Sequence, residues 1–461
     1  MMDIYVIKRN NKYIVFNPES LFLFTVTEDI GEILEYYVSQ SESLPENLGG
    51  SERDIASLLD SFDEKANLDI CNSKGCEEKA PKALCLIVSH DCNLRCGYCY
   101  ADHGTFGGEK KLMGFKTAKE SIDKLLGKNS NNFILFFGGE PFLNYPLMKD
   151  VVEYGNRNEL NIKYSTITNG TIINESIKEF IYKNFFALQI SLDGPKAIND
   201  FQRYGSPESV HDRALETLDQ LRSRDYPLSI KCIITKKSIN KLNTIMEYLS
   251  TLGVGSIAFS EAHLLPKDSK FYISDTEYEG CITELSRILV KNLDQLASGD
   301  KTPVIGPIFD ILRSLTTKTR KINYCSAGRE YVAVTAEGDV YPCHGFVGID
   351  EFKMGNVLEE DFPGESYATI SDLFSKLNVN ISEECSLCWA RFLCGGYCAA
   401  HSYIYNNDLS KPTKRRCIMA KSILEALLPE IADIFQDKNK MQNIIKRFDR
   451  SRNVAQSPLI K

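Results

Sequence analysis

The chain has 461 residues, room for two or three domains. Its 43% hydrophobic and 25% charged content are those of a globular protein, and a formal net charge of −8 gives no sign of a nucleic-acid partner. The N-terminus MMDIYVIKRN lacks a secretion signal and no apolar run reaches the roughly 20 residues of a membrane span, so the sequence reads as cytoplasmic with no membrane partner.

Residues 1–65 read as a small unit. Ile4–Lys8 and Lys12–Phe16 form strands around Asn10–Asn11, Leu21–Thr25 a third, and a helix opens at Thr27 with Ile30, Ile33, Leu34 and Tyr37 on one face. A second helix starts at Ser51, with Asp54 placed for a capping box. This order predicts a winged-helix-like module, followed by a linker over 66–82. From 83 to 300 strands and helices alternate. Ala83–Val88, Phe133–Phe137, Ile162–Thr168, Phe186–Leu192, Leu228–Thr235 and Ser256–Ser260 are apolar strands. Lys116–Leu126, Ser176–Lys183, Ser209–Arg222 and Lys241–Leu252 are helices. The alternation predicts an α/β fold with a parallel sheet or partial barrel, with its chemistry at the C-terminal strand ends. A helical connector (301–324), a cysteine-rich region (325–425) and a C-terminal helix and tail (426–461) complete the chain.

Fifteen cysteines in a chain with no mark of secretion point to metal rather than disulfides. Cys92, Cys96 and Cys99 follow the first barrel strand as C-x3-C-x2-C. Three thiolates can hold three irons of a 4Fe–4S cluster and leave the fourth open to a ligand. With Tyr98 beside the last cysteine, this resembles the signature of radical S-adenosylmethionine (SAM) enzymes. The resemblance implies that reductive cleavage of SAM at the open iron yields a 5′-deoxyadenosyl radical. A zinc site is the competing reading, although structural zinc normally takes four closed ligands.

Further motifs stand at successive strand ends. Gly138-Gly139-Glu140-Pro141 resembles the family's GGE motif, with Glu140 expected to accept from the SAM ammonium. Thr168-Asn169 ends the third strand, Ser191 and Asp193 suit ribose hydroxyls, and Arg203 suits the SAM carboxylate. Related enzymes often carry His-Asp-x-x-Arg here; this chain has Asn199, Asp200 and Arg203.

Cys325, Gly338 and Cys343 form C-x12-G-x4-C, and Cys385, Cys388, Cys394 and Cys398 form C-x2-C-x5-C-x3-C, with Cys417 beyond. This resembles the SPASM domain, which implies two auxiliary 4Fe–4S clusters and three in all. By motif position, Cys325, Cys343 and Cys398 would bind the inner cluster, and Cys385, Cys388, Cys394 and Cys417 the outer one. Some SPASM enzymes have a fourth inner cysteine where this chain has Tyr331, so the inner cluster keeps an open iron, or another cysteine or side chain completes it. Cys85 and Cys232 read as core residues, and Cys71 and Cys76 as incidental.

The N-terminal unit resembles peptide-recognition modules that take an extended leader onto a strand edge. Together the parts resemble maturases that form thioether crosslinks in ribosomally made, cysteine-rich peptides of the sactipeptide and ranthipeptide type. The resemblance implies a cysteine-rich precursor peptide with a leader, an external one-electron reductant of the flavodoxin or ferredoxin class, and an auxiliary cluster whose open iron receives a peptide thiolate. Glu261 and His344 are candidate bases, with His263 a weaker one. The alternatives are a formylglycine-forming sulfatase maturase, a carbon–carbon or carbon–oxygen crosslinker, and a non-enzymatic zinc and peptide-binding protein.

Overall fold

The computed structural model describes residues 4–9, 12–40, 81–127, 131–222, 226–262 and 267–455. The helix expected from Ser51, the turn Asn10–Asn11, Cys71, Cys76 and His263 lie outside the described residues.

Strands β1 (Tyr5–Arg9), β2 (Lys12–Asn17) and β3 (Phe22–Val26) form an antiparallel sheet followed by α1 (Glu28–Gln40). Side chains alternate across it. Ile4, Val6, Val15, Phe24 and Val26 pack with Leu34 of α1, whereas Tyr5, Ile7, Phe16 and Leu23 join the main core. Gly31 is required on α1, because a Cβ there would lie 2.0 Å from the Tyr13 ring.

Six parallel strands follow in sequential order: β4 (Ala83–Ser89), β5 (Asn132–Gly138), β6 (Ile162–Thr168), β7 (Phe185–Ser191), β8 (Leu228–Ile234) and β9 (Ser256–Glu261). Between them run α2 (Phe115–Leu125), α3 (Tyr145–Arg157), α4 (Glu175–Asn184), α5 (Lys196–Gln202), α6 (Val210–Arg222) and α7 (Leu242–Ser250). Sequential parallel order with intervening helices is the expected partial (β/α)6 arrangement, and the continuous apolar run of β4 reflects burial at all seven positions.

Beyond β9, α8 (Asp275–Ser298) starts at a Ser274–Glu277 capping box and ends at left-handed Gly299. The expected helical connector contains a two-residue strand, β10 (Val304–Ile305), parallel to β9, before α9 (Ile308–Thr317). The cysteine-rich region then returns to the same sheet. β11 (Tyr331–Val334) pairs parallel with β4, and β12 (Asp339–Tyr341) and β13 (Gly355–Asn356) extend that edge antiparallel, making ten strands. α10 (Glu365–Lys376), α11 (Ala399–Asn406), α12 (Lys414–Gln436) and α13 (Lys438–Ala455) complete the chain. Among the described residues no helix is long and apolar enough to cross a membrane.

The N-terminal sheet is clamped to the cysteine-rich region. Tyr5 stacks on Trp389 at 3.8 Å between ring centroids, and its hydroxyl donates to Glu425 Oε1 at 2.6 Å. Glu19 pairs with Arg320 at 2.5 Å and also with Arg391, and Arg9 pairs with Glu430 at 2.5 Å. Tyr5→Ala removes a stack worth about 1 kcal/mol and a hydrogen bond worth about 1 kcal/mol. The expected result is roughly thirtyfold faster limited proteolysis within the N-terminal unit, with the barrel fragments unchanged.

Candidate active site

The Cys92–Cys99 loop leaves the C-terminal end of β4 and is fixed from two sides. Gly139 N–H donates to Ser89 O and Glu140 N–H to Asp91 O, both at 2.9 Å. On the other side Arg95 N–H donates to Tyr204 O at 2.6 Å and Gly97 N–H to Gln202 O at 3.0 Å. Two glycines permit this closeness. A Cβ on Gly139 would lie 2.2 Å from Asp91 O and 2.9 Å from Cys92 Cβ, and one on Gly97 would lie 2.1 Å from the Phe271 ring. Local amides also hold the sulfurs: Leu94 N–H reaches Cys92 Sγ at 3.3 Å, and His103 N–H reaches Cys99 Sγ at 3.2 Å.

Glu140, Thr168, Asn169 and Asp193 at the next strand ends are buried, and the Thr168 hydroxyl and Asn169 amide face the Glu140 carboxylate. Glu140 is fully buried. Its carboxylate accepts from Phe142 N–H at 3.2 Å, Thr168 Oγ1 at 2.8 Å and Asn169 N–H at 2.8 Å. Burial pushes it up to about 7, against the pull of those donors. Pro141 opens the single turn after it. Gly138 has φ of 142° and packs against Ser89. Ser191, at the end of β7, is half-buried.

Asp193 and Arg203 pair with each other in this structure. Arg203 Nε and Nη2 each lie 3.0 Å from an Asp193 oxygen, and Tyr98 OH donates to Asp193 at 2.6 Å. Asp193 also accepts from Gln202 at 3.0 Å and from Ile233 N–H at 2.9 Å. Asn199, in place of the family histidine, accepts from Asp193 N–H at 3.1 Å, and Asp200 accepts from Ser209 and His211 N–H. Tyr98, Asp193, Asn199, Gln202 and Arg203 are all buried and multiply bonded, the condition under which a buried ion pair holds position.

Among the described residues, no three His, Cys, Asp or Glu side chains close on one point as a single bound ion requires. The thiols form three wider groups. Burial pushes Cys92 up to about 12, with Glu140 and then Cys96 and Cys99 adding to it. Cys343 is raised chiefly by burial, then by Cys398 and Cys325. Cys417 is pushed up to about 11 by burial, then by Cys385, Cys394 and Cys388. These last four line one cavity of about 390 Å³. A set of four thiols suits an iron–sulfur cluster, whose binding would displace their protons. Tyr331 donates no thiolate. Its hydroxyl lies 2.8 Å from His344 Nδ1, and Cys85, fully buried on β4, is a hydrogen-bond neighbour.

A second cavity of about 270 Å³ lies between the ends of β8 and β9 and the cysteine-rich region. Lys231, Glu261, Cys394, Cys398, His401 and Arg416 are among its walls. Glu261 Oε2 has no hydrogen-bond partner, with Arg415 Nη1 at 3.7 Å. Burial pushes this carboxyl up to about 7, opposed by Arg415. His344 is pushed down to about 4 by burial and then by Lys231, which leaves it a weak base. Lys231 itself falls to about 8 through burial. Sequence reasoning missed Lys231 and Arg416. The signal for Lys231 is a cation inside the apolar strand LSIKCII, where the structure leaves it half-buried against the cavity.

Residues 86–249 match the family model described as the radical SAM superfamily, and residues 325–389 match SPASM, an iron–sulfur cluster-binding domain. An uncharacterized protein of Methanocaldococcus jannaschii is 32% identical over 292 residues, spanning 61% of this chain and 90% of that one. A cysteine-type anaerobic sulfatase-maturating enzyme of Clostridium novyi is 26% identical over 344 residues, 69% of this chain and 88% of that one. Two solved structures share the fold at under 25% identity. AdoMet-bound anSMEcpe superposes with a TM-score of 0.66 and 20% identity, covering 79% of this chain and 98% of that one. Streptococcus suis SuiB bound to precursor peptide SuiA has a TM-score of 0.51 and 14% identity, covering 90% and 99%.

Gly139→Ala is expected to cost about 1–3 kcal/mol of overpacking, all of it falling on the Cys92 loop. Anaerobically purified variant should bind less iron and cleave less SAM than wild type. Full iron content with undiminished 5′-deoxyadenosine formation would show that the close approach is dispensable.

Proposed function

The chain belongs to the radical SAM superfamily, and from that premise we propose that it is a peptide maturase that forms thioether crosslinks in a cysteine-rich precursor. The observation that carries the reading is the chamber shared by Lys231 in mid-β8, by the strand ends Ile234 and Glu261, and by thiols Cys394 and Cys398. It joins barrel and cysteine-rich region at one place where a peptide side chain fits. In this reading Cys92, Cys96 and Cys99 hold the SAM cluster. Cys325, Cys343 and Cys398 hold an inner auxiliary cluster, and Cys385, Cys388, Cys394 and Cys417 an outer one, three 4Fe–4S clusters in all. Bound there, SAM and its cluster supply a 5′-deoxyadenosyl radical when an external reductant of the flavodoxin or ferredoxin class delivers one electron.

The chain's own residues do the rest. The N-terminal sheet takes the leader along an edge, since β1 and β3 each pair only with β2 among the described residues. Peptide-bound SuiB matches more of this chain than anSMEcpe does, 90% against 79%, which favours a role for the N-terminal unit beyond that of a cap. Glu261 takes the proton of the substrate thiol. The S–H bond and an acceptor C–H bond break and a C–S bond forms. The hydrogen atom would leave on 5′-deoxyadenosine, the proton on Glu261, and one electron would pass to an external one-electron acceptor.

The likeness to sulfatase-maturating enzymes favours a second reading, oxidation of a protein cysteine to formylglycine. Product analysis separates the two. With a co-produced precursor, the thioether reading expects loss of two hydrogens per crosslink and thiols that resist iodoacetamide. An aldehyde that reacts with hydrazides would replace it with the second reading.

As a base Glu261 must be ionised, so turnover should rise as pH passes through about 7. Arg415, Asp275, Tyr278 and Cys281 are the charged or titratable groups around it. Glu261→Gln should lose that limb and about 10²–10⁴-fold in crosslinking rate. An unchanged pH profile in the variant would remove Glu261 from the reaction.

A further inference from the structure

Buried polar atoms ordinarily have partners, yet eight described side-chain N or O atoms have none. Three of these stand beside cysteines of the auxiliary sites. Tyr397 precedes Cys398 in the chain, Ser402 follows it by one helical turn on α11, and Arg416 precedes Cys417; all three line the chamber that Cys394 and Cys398 share. Such donors are positioned for an acceptor other than the protein.

Arg416 is the most demanding of them. Its guanidinium has Cys394 Sγ 3.8 Å from Nη2, and Cζ stands 4.8 Å over the Tyr324 ring. No carboxylate pairs with it among the described residues. The side chain is half-buried, and a buried guanidinium nitrogen without an acceptor is unfavourable. The start of α12 adds to the imbalance. Lys414 and Arg416 stand in its first turn, where the helix dipole already presents its positive end and no acidic residue stands, while Arg415 between them is paired with Asp275 at 2.7 Å. The cavity of Cys385, Cys388, Cys394 and Cys417 is lined by Arg391, Lys411, Lys414, Arg416 and Lys421 against one carboxylate, Glu384, and Arg416 also forms part of the chamber wall. A 4Fe–4S cluster on four thiolates is a net anion, and its seat here would answer both imbalances.

We propose that Arg416 is the counter-charge of the outer cluster, a positioning residue that raises the cluster's reduction potential through the Cys394 sulfur. Charge and hydrogen bonds at the sulfurs are what the protein uses to set such potentials. The raised potential lets the cluster accept the single electron released on substrate oxidation and pass it to an external one-electron acceptor. The inference rests on the cluster assignment above.

The test is EPR-monitored redox titration of anaerobically purified full-length protein without peptide, with Cys417→Ala identifying the outer-cluster signal. Arg416→Gln is expected to move that signal to more negative potential and leave the other two in place. Arg416→Lys should fall between the glutamine variant and wild type. An unmoved potential in Arg416→Gln overturns the proposal. If the glutamine variant fails to assemble the outer cluster, its recovery in Arg416→Lys upholds a role for charge. Failure of both variants, with circular dichroism unchanged, shows that the shape of the guanidinium matters and overturns the counter-charge assignment. Wild-type protein without the Cys417-dependent signal would refute the cluster assignment itself, a separate outcome.

Discussion

Strand β4 has two parallel partners, and the geometry of the site depends on that. On one side it pairs with β5, so the Cys92 loop beyond Ser89 meets Gly139 and Glu140. On the other it pairs with β11, placing Tyr331 opposite Ala83 and Ala333 opposite Cys85. β11 turns back through β12 to Cys343. One fully buried strand therefore sets the separation between the first cysteine loop and the cysteine-rich region. A register slip of one residue would reverse every side chain along it, and burial of both faces makes such a slip prohibitively costly.

The loop's other anchor is electrostatic. Arg203 is held by Asp193 through two hydrogen bonds, and Arg203 Cζ lies 5.4 Å from the Tyr98 ring. The carbonyls flanking Arg203, those of Gln202 and Tyr204, receive the amides of Gly97 and Arg95. The ion pair thus fixes a backbone segment, and that segment fixes the loop. Removing either charge would leave the other buried and uncompensated, at a cost of about 3–5 kcal/mol.

Most of this architecture is legible in the sequence because strand and helix periods are local properties. The strand Ile162–Thr168 has the bounds its sequence predicts. Thiol spacing is local too, since C-x3-C-x2-C brings sulfurs together on one loop. Pairing is not local. Asp193 and Arg203 read as two groups awaiting a ligand, and the fold turns them toward each other. β11 reads as part of a separate region, yet joins β4 from 248 residues away, where Lys82 Nζ also meets Glu330 at 2.7 Å. Lys231 reads as part of an apolar strand because periodicity reports faces and carries no information about what fills the space they enclose.

The N-terminal sheet illustrates how several weak contacts produce one strong constraint. Each surface ion pair is worth at most about 1 kcal/mol. Glu19, however, holds Arg320 and Arg391 together, and the Arg391 guanidinium lies 4.9 Å over the Phe392 ring. Tyr5 covers Trp389, the residue after Cys388, and Lys318 reaches Leu21 O at 2.9 Å and sits 4.2 Å over Phe22. Because these contacts share residues, none can open without disturbing its neighbours, and their contributions combine cooperatively. The same stretch, Cys388 to Cys394, supplies both the docking ridge for the N-terminal sheet and two thiols of the outer cavity. Any displacement of that sheet is therefore felt first by the residues between those two cysteines.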